Sequence, residues 1–564
     1  MSYSTRRRIL RSIVLSLLSA VSFLIFSAST RAEEPKRLKR SESFIGIHFD
    51  FHANEDCKDI GANTTPEMVQ TILDMVKPDF IQVDSKGHPG WSSYPTKVGN
   101  PAPGVVADSL KVWREVTAKN GVALYTHYSG VWDNTAISRN PEWGVVDKNG
   151  NKSHERNSVF SEYKDKLLVP QLLEFALDYG LDGVWVDGEC WATQIDYGTA
   201  AQEKFKKVLG REEIPTSPDQ DGWFEWCDFH REAFREYLRS YVKTVKERAP
   251  DYQIASNWAF TDHMPDPISA DVDFISGDFS PNNSVNAARY STRLMANQGK
   301  PWDLMAWSFA SQNGWVPKTG IQLCREAACV LAQGGAFQAY YTQERDGSVR
   351  VSKLESMAET AKFCRARQEL CQYSSGVPQV ALFCPTAKHY RDVSSQGEAL
   401  FPMITWQRPI LYRLLELNYS VDVLTDSALT QRISDFPVVV FFRGDCWSET
   451  LKSKVKGYLN SGGSVFAIGD ESIEELNNAV GDYEKTSTPL ANDGWRLEVG
   501  RYGKGMVVTF PNPDKSTSEF TNADGLTFVK YLETGMKEAF STPLIQLAER
   551  RPLTSPSVVL SLVS

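Results

Sequence analysis

Between residues 44 and 345 the chain repeats one pattern: a short apolar run, too brief for a helix, ends in polar or aromatic residues and leads into an amphipathic stretch. The runs are Phe44–Phe49, Phe80–Asp84, Val122–His127, Gly183–Asp187, Gln253–Asn257, Phe274–Asp278, Leu304–Trp307 and Ala336–Tyr340. Helical periodicity lies between them, at Thr65–Lys77, Asp108–Asn120, Phe160–Tyr179, Asp228–Glu247 and Gly320–Gln333. Val184-Trp185-Val186 does not alternate, as expected for a parallel strand covered on both faces. Eight strand–helix units over about 300 residues predict a (β/α)8 TIM barrel rather than an open doubly wound sheet. No G-x-G-x-x-G follows the first run, so no dinucleotide cofactor is expected.

After a helix through Cys371 the pattern restarts with strands at Val377–Phe383, Val421–Leu424, Phe436–Phe442 and Ser464–Ile468. Helices at Ile404–Leu417 and Glu449–Leu459 alternate with them, the second stopped by Ser461-Gly-Gly463. This predicts a flavodoxin-like α/β domain. Short runs such as Met506–Phe510 and the terminal Val558–Leu562 predict a small β-rich C-terminal segment. The expected division is an export signal over 1–32, a catalytic barrel over 33–375, the α/β domain over 376–478 and the β-rich segment over 479–564.

Composition narrows the functional classes. Arg6-Arg-Arg8, an apolar stretch from Ile13 to Phe26 and small residues up to Ala32 have the three regions of an export signal, with a mature chain starting near Glu33. Thr5-Arg-Arg-Arg-Ile-Leu-Arg11 also resembles a twin-arginine signal. The expected location is therefore periplasmic or extracellular, with no stable membrane span once the signal is removed. A net charge of −9 without a basic run argues against nucleic acid. The nine cysteines are scattered with no C-x-x-C pair, which points to neither a zinc ribbon nor a dense disulfide framework.

The strand ends supply the candidate chemistry, because a parallel barrel carries its active site at the carboxyl ends of its strands. They offer His48, Asp50 and His52; Asp84 and His88; His127, Tyr128 and Trp132; Asp187, Glu189 and Trp191; Asn257, Trp258, Asp262 and His263; Asp278; Trp307; and Tyr341, Gln343 and Glu344. Cleaving a glycosidic bond takes two carboxyl groups, one to attack or activate water and one held protonated for the leaving oxygen. Asp187 and Asp278, ending the fourth and sixth runs, fit these roles, with Asp187 as nucleophile and Asp278 as acid; Glu189, Asp262 and Glu344 are rivals for the acid. Candidate sugar contacts are His48, His52, His127, Trp132, Glu189, Trp191, Asn257, Trp258, Trp307 and Glu344, imidazoles bonding hydroxyls and indoles covering apolar sugar faces. Without H-E-x-x-H or H-x-H spacing, no metal is expected, although Asp50-Phe-His52 keeps a metal reading open.

Phe44-Ile-Gly-Ile-His-Phe-Asp-Phe-His52, Trp185-Val-Asp-Gly188 and Asn140-Pro-Glu-Trp143 resemble the α-L-fucosidase (glycoside hydrolase family 29) superfamily, in particular its branch of hypothetical glycosyl hydrolases. The resemblance implies that Asp187 is the nucleophile and that His48 contacts the sugar; it transfers no role to Asp278. Val186 stands where fucosidases usually carry Phe, and the first strand end departs from their H-W-G pattern, so fucose specificity is not implied. Residues 377–475 resemble the trimerisation domain of family 42 β-galactosidases, a relative of class I glutamine amidotransferases. Cys446 sits in Gly-Asp-Cys-Trp-Ser rather than a G-x-C-x-G elbow, and no His follows His389, so the domain is expected to be catalytically silent and to serve structure or homo-oligomerisation. The sequence thus predicts an exported, retaining glycoside hydrolase acting on a carbohydrate without a cofactor. The rival readings are a non-catalytic carbohydrate-binding barrel and a metal-dependent hydrolase or deacetylase.

Overall fold

The structure is a computed structural model that describes residues 35–541 except 190–193, 311–315, 378, 398–406, 493–494 and 512–522. The expected signal segment and the Val558–Leu562 run lie outside the described residues. Eight parallel strands form the first unit: β1 (Ile45–Asp50), β2 (Phe80–Lys86), β3 (Ala123–Ser129), β4 (Gly183–Asp187), β5 (Gln253–Ser256), β6 (Ile275–Asp278), β7 (Trp302–Trp307) and β8 (Ala336–Thr342). Their order in the sheet is β5-β4-β3-β2-β1-β8-β7-β6. The seam between β5 and β6 is bridged by Asp273 N–H donating to Ile254 O at 2.9 Å and Trp258 N–H to Ser276 O at 3.3 Å, which completes a nearly closed TIM-like barrel.

The intervening helices start where local chemistry allows. Thr65 caps the helix Pro66–Val76 by accepting from Met68 N–H, Pro66 occupies a position that needs no N–H partner, and Lys77 at φ +53° ends it. Val69, Ile72, Leu73 and Val76 face the barrel, each contributing about 1.5–3 kcal/mol by leaving water. One connection departs from the strand–helix repeat: residues 257–274, between β5 and β6, contain no helix and form a long rim loop instead. At the opposite end of the barrel the Arg40 guanidinium lies 3.5 Å from the Phe80 ring centroid and pairs with Asp303 at 2.7 Å. Both charges are buried, so the base of the barrel is plugged.

The second unit is a seven-stranded sheet in the order 421–425, 380–384, 438–442, 464–468, 505–510, 495–502, 484–492. Its first five strands are parallel and its last two antiparallel. The C-terminal strands therefore extend the flavodoxin-like sheet, and the helix Ala523–Ala539 packs on it. Tyr290 and Leu294, on the barrel helix Ser284–Met295, belong to the apolar cluster under this sheet. Trp223 Nε1 donates to Ser394 O at 2.7 Å, and Arg408 reaches Asp262 at 3.4 Å. The second unit thus grips the β5–β6 rim loop. The eight described cysteines are free thiols. No helix among the described residues is long and apolar enough to cross a membrane.

Candidate active site

A cavity of about 540 Å³ opens at the carboxyl end of the barrel. Strand register builds its floor: His48 pairs with Tyr340, Tyr340 with Trp307, and His127 with both Asp84 and Trp185. Edge-on ring contacts at 5.2–5.6 Å lock His48 against Tyr340 and Trp185. Asp187 and Asp278 rise from β4 and β6 into the same cavity, flanked by His52, His88, Trp258 and Trp307. Gly188 follows Asp187 at φ +69°, and a Cβ there would lie 2.7 Å from the Trp132 ring, so both backbone and packing require glycine after this carboxylate.

Asp187 is held from two sides. His127 Nε2 is 3.1 Å from its Oδ2, and Asn257 Nδ2 donates to its Oδ1 at 2.6 Å. His127 Nδ1 is in turn 2.8 Å from Asp84 Oδ1. An imidazole bonded to carboxylates at both nitrogens donates from both and is therefore an imidazolium. Burial opposes that charge, but Asp50, Asp187 and Asp84 together raise the His127 pKa well above its ordinary value. Burial would likewise raise Asp187, yet the His127 bond and charge, with His88 and Asn257, hold it well below the usual carboxylate range.

Asp278 is the opposite case. Burial, reinforced by the Asp187 charge, pushes its carboxyl up to about 6, while a 2.7 Å hydrogen bond from Trp307 Nε1 works against the rise. Two carboxyl groups in one cavity thus differ in protonation because their surroundings differ. His52 Nε2 bonds Asp50 Oδ2 at 2.8 Å, and deeper down Gln82 Nε2 lies 2.8 Å from His48 Nδ1. Burial lowers His48, and burial lowers His88 to about 4. One potential ligand atom each from Asp50, His52 and His127, and again from His52, His88 and Asp187, gather within 4.8 Å.

Of the sequence candidates, Asp187, Asp278, His48, His52, His127, Trp258 and Trp307 line the cavity. Others are placed elsewhere. Asn257 is fully buried behind Asp187 and bonds it rather than a ligand. Glu189 is fully buried, accepts from Tyr241 at 2.6 Å and is raised to about 8 by burial; it lies outside the cavity wall. Glu344 turns away into ion pairs with Lys353 and Arg350 at 3.0 and 3.2 Å, and its neighbour Arg345 lines the cavity instead. Asp262 is tied to Ser291 and Arg408 and is held ionised, at about 2, against the effect of burial, which does not suit an acid. Trp132 packs over His88 and Gly188, behind the rim. Trp191 lies outside the described residues.

The strand pleat explains the tyrosine that the sequence misplaced. Tyr340 faces the cavity, whereas Tyr341 points outward to Ser356 and Tyr128 to Gln171. Met305, Tyr340, Thr342 and Arg345 also line the wall without having stood out in the sequence. Only the alternation of in and out along β7 and β8 could have flagged the strand residues, and it needs the register.

No known protein family matches the sequence, and no curated protein does either. Solved structures do share the architecture. An α-L-fucosidase isoenzyme 2 from Paenibacillus thiaminolyticus superposes with a TM-score of 0.71 over 88% of this chain and 84% of that chain, at 16% identity. The β-galactosidase from Rahnella sp. R3 gives 0.64 over 90% of each chain at 14% identity. That from Bacillus circulans sp. alkalophilus gives 0.64 over 89% of each at 13%. The chain therefore has the barrel-plus-α/β fold of these glycoside hydrolases.

Proposed function

We propose that the protein is an exported glycoside hydrolase that works with retention of anomeric configuration, Asp187 acting as nucleophile and Asp278 as acid/base. The observation that carries this reading is a pair of carboxyl groups in one aromatic-walled cavity, Asp187 bonded by His127 and Asn257 and Asp278 bonded by the Trp307 indole. Asp187, ionised by His127 and Asn257, attacks the anomeric carbon while Asp278 gives its proton to the leaving oxygen. A glycosyl ester forms on Asp187 and the aglycone departs as the alcohol. Asp278, now ionised, takes a proton from water, whose oxygen displaces Asp187 and releases the sugar. Trp258, Trp307 and Tyr340 offer apolar faces to the ring, and His48 and His52 face its hydroxyls.

The test is a panel of aryl glycosides, beginning with α-L-fucoside and both galactoside anomers, run with the wild-type protein and D187N. Release of aryl alcohol by the wild type alone supports the reading. Once a substrate is found, proton NMR of the first-formed sugar decides the stereochemistry; an inverted anomer would make Asp187 a base acting on water. Export belongs to the same proposal and is tested by cell fractionation. So does association of copies through the second unit, tested by light scattering.

A further inference from the structure

The hydrogen bonds around His88 fix its tautomer. Ser129 Oγ donates its only proton to Trp132 O at 2.8 Å, so its oxygen must accept from His88 Nδ1–H at 2.7 Å. In the neutral ring Nε2 is then a lone pair, and it faces Asp187 Oδ2 at 3.6 Å, beyond the reach of an N–H···O hydrogen bond. That oxygen belongs to an ionised carboxylate already accepting from His127. Two electron-rich atoms are thus aimed at one point with no proton between them, an arrangement that a cation relieves.

A third donor stands at the same place. The His52 ring lies edge-on to His88 with centroids 4.6 Å apart, and it brings a nitrogen within 4.8 Å of both other ligand atoms. The two imidazoles also carry the outer partners typical of metal-binding histidines. Ser129 accepts from His88 Nδ1–H, and Asp50 bonds His52 Nε2 at 2.8 Å, which fixes both rings. His127 braces the carboxylate from behind, itself oriented by Asp84.

We propose that His52, His88 and Asp187 form a binding site for one divalent first-row transition cation at the mouth of this cavity. Two imidazoles and one carboxylate leave an open coordination position, which suits Zn2+ and not a hard cation such as Mg2+, whose sites are built from oxygen ligands. The cation occupies the carboxylate that the glycosidase reading uses for attack. On that reading, bound Zn2+ is a reversible inhibitor.

The binding test does not depend on any glycoside. Protein stripped with EDTA and dialysed is titrated with ZnCl2 by calorimetry, and parallel samples are analysed for zinc content after gel filtration. The expected result is one site per chain, weakened at least tenfold in H88Q and in H52Q and unchanged in H154Q, whose histidine is exposed on the strand Lys152–Asn157. S129A is the decisive variant, because it leaves every ligand in place and only frees the His88 ring; it should weaken binding by about 10–100-fold. Thermal melts identify any variant that fails to fold, and S129A, which removes one hydroxyl, keeps the question open to test if H88Q or H52Q is lost. No binding, or equal binding by the wild type, H52Q, H88Q and S129A, overturns the proposal. With a substrate in hand, Zn2+ should suppress turnover and EDTA restore it; acceleration by Zn2+ would overturn the blocking role. Zinc binding by a protein that cleaves no glycoside would sink the glycosidase reading and leave this site standing.

Discussion

The indole N–H of Trp307 donates to Oδ2 of Asp278 at 2.7 Å, so a residue that walls the cavity also lowers the pKa of the carboxyl beside it. A donor favours the ionised carboxylate, and Trp307 therefore opposes the rise that burial and Asp187 impose. W307F removes the donor and keeps most of the aromatic face. The Asp278 pKa then climbs, and the basic limb of the kcat/KM profile moves to higher pH. A limb that stays in place, or moves to lower pH, would show that Asp278 is not the group titrating there.

Replacing Asp187 by Asn preserves shape and removes the negative charge that attacks. Turnover of any substrate should fall by on the order of 10³ or more. His127 still has Asp84 as an anionic partner, so the fold should survive, with an unchanged circular dichroism spectrum. Near-normal turnover by the folded variant would remove Asp187 from the mechanism.

Glu189 gives a prediction about stability. Its carboxyl titrates near the ordinary glutamate value of about 4.5 when unfolded and is pushed up to about 8 when folded, because burial disfavours the charge. Between those values the native state binds more protons than the unfolded chain, so stability falls as pH rises through that window and levels off above it. The cost is absent below about pH 4.5 and reaches on the order of 3 kcal/mol by pH 7. E189Q carries no such cost. Its Tm should exceed that of the wild type at pH 8, and the difference should shrink towards pH 4.5. A gap independent of pH would refute the assignment, and because Glu189 lies outside the cavity the variant should retain activity.

The second unit should show no amidotransferase chemistry. Cys446 takes a positive φ of 61° after the strand Val438–Phe442, as an elbow nucleophile would, but burial and Asp445 push its thiol up. His389 is buried and lowered to about 4, by burial and then by Arg231 of the barrel. C446S should therefore leave glycoside turnover unchanged, and the wild type should release no ammonia from glutamine. Thiol-dependent ammonia release that disappears in C446S would contradict this.

The eight barrel strands, most of the helices and the carboxylate that ends β4 are legible in the amino-acid sequence. Each is written locally: an apolar run too short for a helix, a cap such as Thr65-Pro66, a glycine after Asp187 that the chain's turn and Trp132 both demand. Which strand-end side chains meet depends on the packed barrel. Whether Tyr340 or Tyr341 faces the cavity depends on register and pleat, and the irregularity between Asp84 and Lys86 on β2 shifts the alternation where it matters. His52, His88, His127 and Asp187 come from four different strand ends and share no spacing that a motif could capture. Glu189 and Asp278 are both acidic residues next to an apolar strand, and only the three-dimensional surroundings put one under Tyr241 and the other beside Trp307. Local patterns reach as far as one turn of helix or one pleat of strand; the protonation of a carboxyl group depends on charges and burial supplied by residues tens to hundreds of positions away.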